Sequence, residues 1–155
     1  MAHTACIGCI ANPMAGKDIR RLVTYGSRID NQEKVSIVRR MLLGLESVRG
    51  TRVLFMPDTF HTGVKALEGI RHSLDLEVEF LDMDVQGTAR DTLRATQRMR
   101  EAGAHCLVVL GGDGTHRVVA KASGAIPLVP ISSGTNNVFP RTIEGTLAGM
   151  AAGLY

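Results

Sequence analysis

Three short stretches carry residue types and spacings that suit phosphate chemistry. The densest is Gly111-Gly112-Asp113-Gly114-Thr115, three glycines in four positions around a lone acid. Glycines this close together let backbone N–H groups approach a phosphate, and a helix opening there adds its positive end. Asp113 by itself repels a phosphate, so its carboxylate suits either holding Mg²⁺ or taking the proton of an attacking hydroxyl. A tight turn with Asp113 as a helix cap explains the acid but does not require three glycines.

The second stretch, Asn12-Pro13-Met14-Ala15-Gly16-Lys17-Asp18, has the look of a phosphate cradle without being a Walker loop. That motif needs glycine where Ala11 stands and a hydroxyl where Asp18 stands. Lys17, with Arg20 or Arg21, has the charge to neutralise phosphates at a helix start, although a solvated charged turn has the same composition. The third stretch is Ser132-Ser133-Gly134-Thr135-Asn136-Asn137. Ser133, Thr135, Asn136 and Asn137 offer hydroxyls and amides to ribose or phosphate oxygens, and Gly134 and the asparagines also serve a turn. Cys6 and Cys9 spell C-x-x-C, but inside a strand they point to opposite faces and read as core packing. Of the five histidines, only His116 and His61 are placed to reach these loops, and a surface imidazole is the simpler reading of both.

These loops are useful only if the fold gathers them. Residues 5–11 read as a buried strand, 18–24 as a short helix, and Asp30 with Glu33 as a capping pair for a helix through Val48, with Val35, Val38, Leu42 and Leu45 on one stripe. A strand over 52–56 precedes a helix over about 62–72, and a strand over 76–82 precedes a helix that Thr88 and Asp91 cap and that runs to Ala102. A strand over 106–110, a helix to about Ala122, a strand over 127–131 and a helix from about 142 complete the series. Five alternations of strand and helix predict a doubly wound, open parallel α/β sheet. In the order 3-2-1-4-5 the crevice at the switch point lies between strands 1 and 4, where all three loops open.

The last helix keeps its apolar spacing at Leu147, Met150 and Leu154 up to Tyr155 with no cap, and reads as a helix that continues past this chain. Gly145, Gly149 and Gly153 line one face, suited either to packing on the domain's own sheet or to close approach of a second copy in a homodimer.

Composition narrows the function classes. The chain of 155 residues is one domain's worth, with 45% hydrophobic and 21% charged residues, which excludes wholesale disorder. Six aromatics, none of them Trp, leave little for a base-stacking nucleic-acid platform. A net charge of +3, with 14 of 18 cations Arg, suits anionic small molecules. Three cysteines without a basic-apolar leader argue against a secreted disulfide scaffold, and no apolar run is long enough for a membrane span. The expectation is a soluble cytoplasmic protein with neither nucleic-acid nor membrane partners.

GGDGT after a parallel strand, with the earlier NPMAGK and the later GTNNVF, resembles the superfamily of NAD kinases and diacylglycerol-type lipid kinases. The longer wording, ANPMAGKDIRRLV, DNQEKVSIVRRMLLGL, GGDGTHRVVAK and PLVPISSGTNNVFP, looks most like ATP-NAD kinase-like proteins of the acetoin catabolism X type. The resemblance implies a Rossmann-like N-terminal domain, 1–155, with the family's β domain lying beyond it. It implies a kinase that uses ATP or polyphosphate with Mg²⁺ to phosphorylate NAD or a related nucleotide. Gly111, Gly112, Gly114 and Thr115 would then bind phosphate, Asp113 would act as base, and Asn12 and the Gly16 loop would touch phosphates. A lipid kinase, which the GTNN-F wording also resembles, and a non-catalytic nucleotide-binding regulator are the alternatives.

Overall fold

The computed structural model describes residues 5–15, 29–48, 51–134 and 136–155. Strands β1 (Ala5–Ala11), β2 (Thr51–Phe55), β3 (Glu77–Phe80), β4 (Cys106–Gly111) and β5 (Leu128–Ser132) form one sheet in the order β3-β2-β1-β4-β5. Every neighbouring pair is parallel, with Ile7 opposite both Val53 and Cys106. The central strands β1 and β4 are buried on both faces, as their continuous apolar runs require.

Helices α1 (Asn31–Glu46), α2 (Thr62–Leu67), α3 (Ala89–Glu101), α4 (Asp113–Ala120) and α5 (Gly145–Leu154) cover the two faces. Side chains alternate along β1, so Ile7 and Cys9 join a core with α1, α2 and α5, while Cys6 and Ile10 join a second core with α3 and α4. This is the doubly wound arrangement that the alternating pattern predicts.

Local chemistry sets the helix starts. The Glu33 N–H donates to Asp30 Oδ1 at 2.8 Å, and Thr88 and Asp91 form a full capping box. The helix expected over 62–72 is shorter. It stops at Leu67, and Gly69, at φ +79°, leads into a separate 3₁₀ turn, Arg71–Ser73. Strand β3 is likewise confined to 77–80, and α5 opens at Gly145, where Glu144 accepts the Leu147 N–H. The helix expected over 18–24 lies outside the described residues.

The glycine face of α5 is used inside the domain. It packs on helix α1 rather than on the sheet: a Cβ at Gly149 would lie 2.0 Å from the Met41 carbonyl oxygen, and one at Gly145 2.5 Å from that of Ile37. A Cβ at Gly44 of α1 would meet the Thr146 carbonyl at 2.2 Å, so the two backbones approach where both lack side chains. That face is therefore filled within one chain and has no room for a second copy. The outward side of α5 instead shows Leu147 and Leu154.

Replacing Gly149 with Ala should destabilise the domain by about 1–3 kcal/mol, because neither backbone can give way freely. Thermal unfolding measures this as a drop of several degrees. An unchanged midpoint would show that the two helices separate without cost.

Candidate functional site

The connections from β1 and β4 lead to helices on opposite faces of the sheet, so among the described residues no helix covers the gap between their carboxyl ends. A cavity of about 620 Å³ fills it. Its walls come from residues 12–15 after β1, Asp58 and Thr59 after β2, Gly87, Thr88 and Asp91 at the start of α3, and residues 112–115 after β4. Asn136 and Asn137 close one side.

The GGDGT segment turns directly from strand into helix. Gly111 ends β4, and Gly112, the extended N-cap of α4, has no side chain with which to cap the helix. Among the described residues the backbone N–H groups of Gly114 and Thr115 have no acceptor, and His116 N–H is the first to turn back, onto the Gly112 carbonyl. The glycines have different causes. A Cβ at Gly111 would strike the Thr115 side chain at 2.7 Å, whereas one at Gly114 would meet nothing within 4 Å. Packing explains the first; at Gly114, which lines the cavity with Thr115, the space is open. Such a helix start favours an anion through both its N–H groups and its dipole.

Asp113 is the first residue of α4, not its cap. Its Oδ1 accepts the N–H groups of Val138 at 3.1 Å and Phe139 at 2.9 Å, and its Oδ2 accepts Val138 N–H at 3.0 Å. Those backbone donors hold its carboxyl below the usual range, so it is ionised at neutral pH. The carboxylate thus ties the loop after β5 to the start of α4. Asn137 returns the connection, its Oδ1 accepting the Asp113 N–H at 3.3 Å and its Nδ2 donating to Ser132 Oγ at 2.7 Å.

The loop after β1 reaches the same helix through Asn12. Asn12 Nδ2 donates to Thr115 Oγ1 at 3.0 Å, while its Oδ1 accepts the Met14 N–H at 2.9 Å. Beneath the loop lies Lys34, only 1% exposed, whose ammonium donates to the carbonyls of Asn12, Pro13 and Ala15 at 3.1, 3.1 and 2.9 Å. The signal for Lys34 was a lone cation four residues before Val38 on the apolar stripe of α1.

Of the residues singled out from the sequence, Asn12, Gly112, Asp113, Gly114, Thr115, Asn136 and Asn137 line the cavity. Gly111, Ser133 and Gly134 are buried behind it, with Ser133 N–H on the Gly111 carbonyl, so they shape the wall rather than face the cavity. Gly16, Lys17 and Thr135 lie outside the described residues. Asp58 and Asp91 are acids the sequence reading did not place here. Asp58 accepts the N–H groups of Phe60 and Thr62, and Asp91 accepts those of Gln86 and Thr88, so both are spent on loop and helix starts.

His116 departs from the surface imidazole expected of it. It is buried, with Nδ1 2.8 Å from the Gly112 carbonyl and Nε2 3.1 Å from that of Val109. A neutral ring can donate to only one of these. Burial outweighs the pull of both carbonyls and of Asp113 and lowers its pKa. His61 is exposed at the start of α2 and does not line the cavity. The three cysteines are buried and unpaired; burial pushes the Cys106 thiol up to about 11 and raises Cys6 and Cys9, which suits packing and not catalysis. No cluster of three metal-binding side chains occurs among the described residues, and none of their helices is long and apolar enough to cross a membrane.

Because folded His116 resists protonation, the unfolded chain takes up that proton first as pH falls below about 6.5. Stability should therefore decline on acidification through that region, and His116→Gln should flatten the decline. Melting curves between pH 7 and 5 test this; equal slopes for both proteins would remove His116 as the cause.

The geometry can be set beside known proteins. The N-terminal domain of ATP-NAD kinases matches residues 8–152. Acetoin catabolism protein X of Cupriavidus necator is 41% identical across 96% of this chain and 43% of its own length. The chain thus spans less than half of that curated relative, and no solved structure matches it. A five-stranded parallel sheet, a GGDGT helix start at its switch point and a family match over nearly all its residues together make the chain a member of the ATP-NAD kinase family, in the region of that family's N-terminal domain.

Proposed function

We propose that this domain forms the phosphate-binding part of a kinase that moves a phosphoryl group from ATP or polyphosphate to a hydroxyl of NAD or a related nucleotide. The observation that carries the reading is the start of α4 at the switch point, where Gly114 and Thr115, whose amides have no acceptor among the described residues, line the cavity and Gly114 has open space beside it. Family membership supports the reaction class, and the relative's name supports a link to acetoin breakdown.

In this reading the acceptor hydroxyl oxygen bonds to the terminal phosphorus as the bond to the donor's leaving phosphate oxygen breaks, and the hydroxyl proton passes to Asp113. A carboxylate held ionised by Val138 and Phe139 is a weak base, which suffices when the transition state is loose and positioning carries most of the work. The α4 amides take the transferring oxygens and replace water there. Among the described residues no Lys or Arg lines the cavity and no cluster of three metal-binding side chains occurs, which fits Mg²⁺ carried in on the donor's phosphates. Asp113 would hold that ion, which supplies charge neutralisation when bound.

A lipid acceptor is the second reading. Val138 and Phe139, 90% and 57% exposed, present an apolar pair beside Asp113 that a nucleotide does not need.

Transfer from labelled ATP with Mg²⁺ to NAD, or to diacylglycerol in mixed micelles, separates the acceptors. Asp113→Asn should reduce turnover by about 10²-fold or more while the fold persists. Product that appears equally with Asp113→Asn would remove Asp113 from the chemistry, and MgATP binding without product from either acceptor would leave a nucleotide-binding regulator. Gly114→Ala gives an independent check. The methyl should leave thermal stability unchanged or raise it by up to about 1 kcal/mol, as Ala does over Gly in a helix. It should weaken MgATP binding about tenfold by narrowing the approach to the amides; unchanged affinity would place the phosphates elsewhere.

A further inference from the structure

Lys34 is the buried charge that the proposed reaction leaves without a role. It occupies a position on the apolar face of α1, in line with Val38, Met41 and Leu45, all 2% exposed or less. A fully buried lysine is rare and costly unless its ammonium is well supplied with acceptors. Here the acceptors are not scattered. Among the described residues, three are carbonyls of one loop, Asn12, Pro13 and Ala15, and another is Asn31 Oδ1 at 3.3 Å.

That convergence has a geometric consequence. A peptide group is planar, so turning a carbonyl inward sets the direction of the N–H on its other side. Lys34 thereby sets the course of the whole loop from Asn12 to Ala15, the segment that walls the cavity after β1. Asn12 is held at its carbonyl by Lys34 and at Oδ1 by the Met14 N–H, which leaves Nδ2 aimed at Thr115 Oγ1. The ammonium is connected in two steps to the start of α4. A methionine would fill the same space without the cost of a buried charge, so packing alone gives no reason for a cation here.

We infer that Lys34 is a positioning residue, holding the loop after β1 in the shape that receives the donor's phosphates and registering it against α4. It does not itself touch the ligand. The inference rests on the phosphate-binding reading above and names a residue on which that binding depends.

The test is Lys34→Met in this chain, read by hydrogen exchange of the 11–15 segment, by calorimetric affinity for MgATP and by thermal unfolding. The amides of Asn12, Met14 and Ala15 should exchange at least about tenfold faster, and MgATP should bind about tenfold more weakly, the worth of one hydrogen bond to a charged group. The melting temperature should hold or rise. A lysine that serves only the fold predicts the reverse, a lower melting temperature with affinity kept, and that result overturns the proposal. Unaltered exchange, or faster exchange with unaltered affinity, overturns it too. Should Lys34→Met fail to fold, Asn31→Ala removes one acceptor from the ammonium and should shift both readouts in the same direction by roughly two- to fivefold; no shift contradicts the role. Wild-type chain that fails to bind MgATP would instead defeat the phosphate-site reading, leaving the exchange data to judge the hold on the loop.

Discussion

Two adjacent parallel strands whose chains lead to helices on opposite faces leave a gap between their carboxyl ends, and the described loops of this molecule are arranged around that gap. After β1 the chain reaches α1 on one face; after β4 it turns at once into α4 on the other. Both strands end with backbone groups that must find partners or meet solvent. The Asn12 N–H finds the Leu110 carbonyl, the Gly111 carbonyl accepts Ser133 N–H, and the Gly114 and Thr115 amides of α4 have no acceptor among the described residues. An exposed helix start beside a glycine without neighbours is a place for an anion, and it follows from topology before any side chain is considered.

Side chains then tie two loops to that start. Asn12 bonds to Thr115, Asp113 accepts two N–H groups from the loop after β5, and Lys34 gathers the carbonyls after β1. The acid proposed as the base is also the acid that holds a neighbouring loop, so its low basicity and its placement have one cause. His116 sits beneath, its ring between two carbonyls and 5.7 Å from that of Phe139, so the same loop is supported from below. Glycine serves two opposed ends. At Gly114 it leaves space open, and at Gly44, Gly145 and Gly149 it lets two helix backbones close on each other.

The sheet order, the switch point and the GGDGT helix start were legible because each rests on local signals: continuous apolar runs, capping pairs and glycine density. The Thr88–Asp91 cap was legible for the same reason, since four residues contain the whole interaction. Contacts between distant segments were not. Glycines four apart on α5 announce a close approach, but nothing in the spacing names α1 as the partner. His116 directly follows a phosphate motif and reads as exposed, while its surroundings include the Val109 carbonyl of β4 and the ring of Phe139, 23 residues on. Lys34 was hidden by its own type, because a lysine on a helix reads as surface unless its place on the apolar stripe is weighed against its charge.

The central claim is that phosphates meet the backbone at the start of α4, and amide resonances read that contact directly. In a titration of the labelled chain with MgATP, the Gly114 and Thr115 N–H signals should move farthest, with Asn12 and Asn137 side-chain amides following. Saturable binding that shifts other residues while those two amides stay in place would contradict the account.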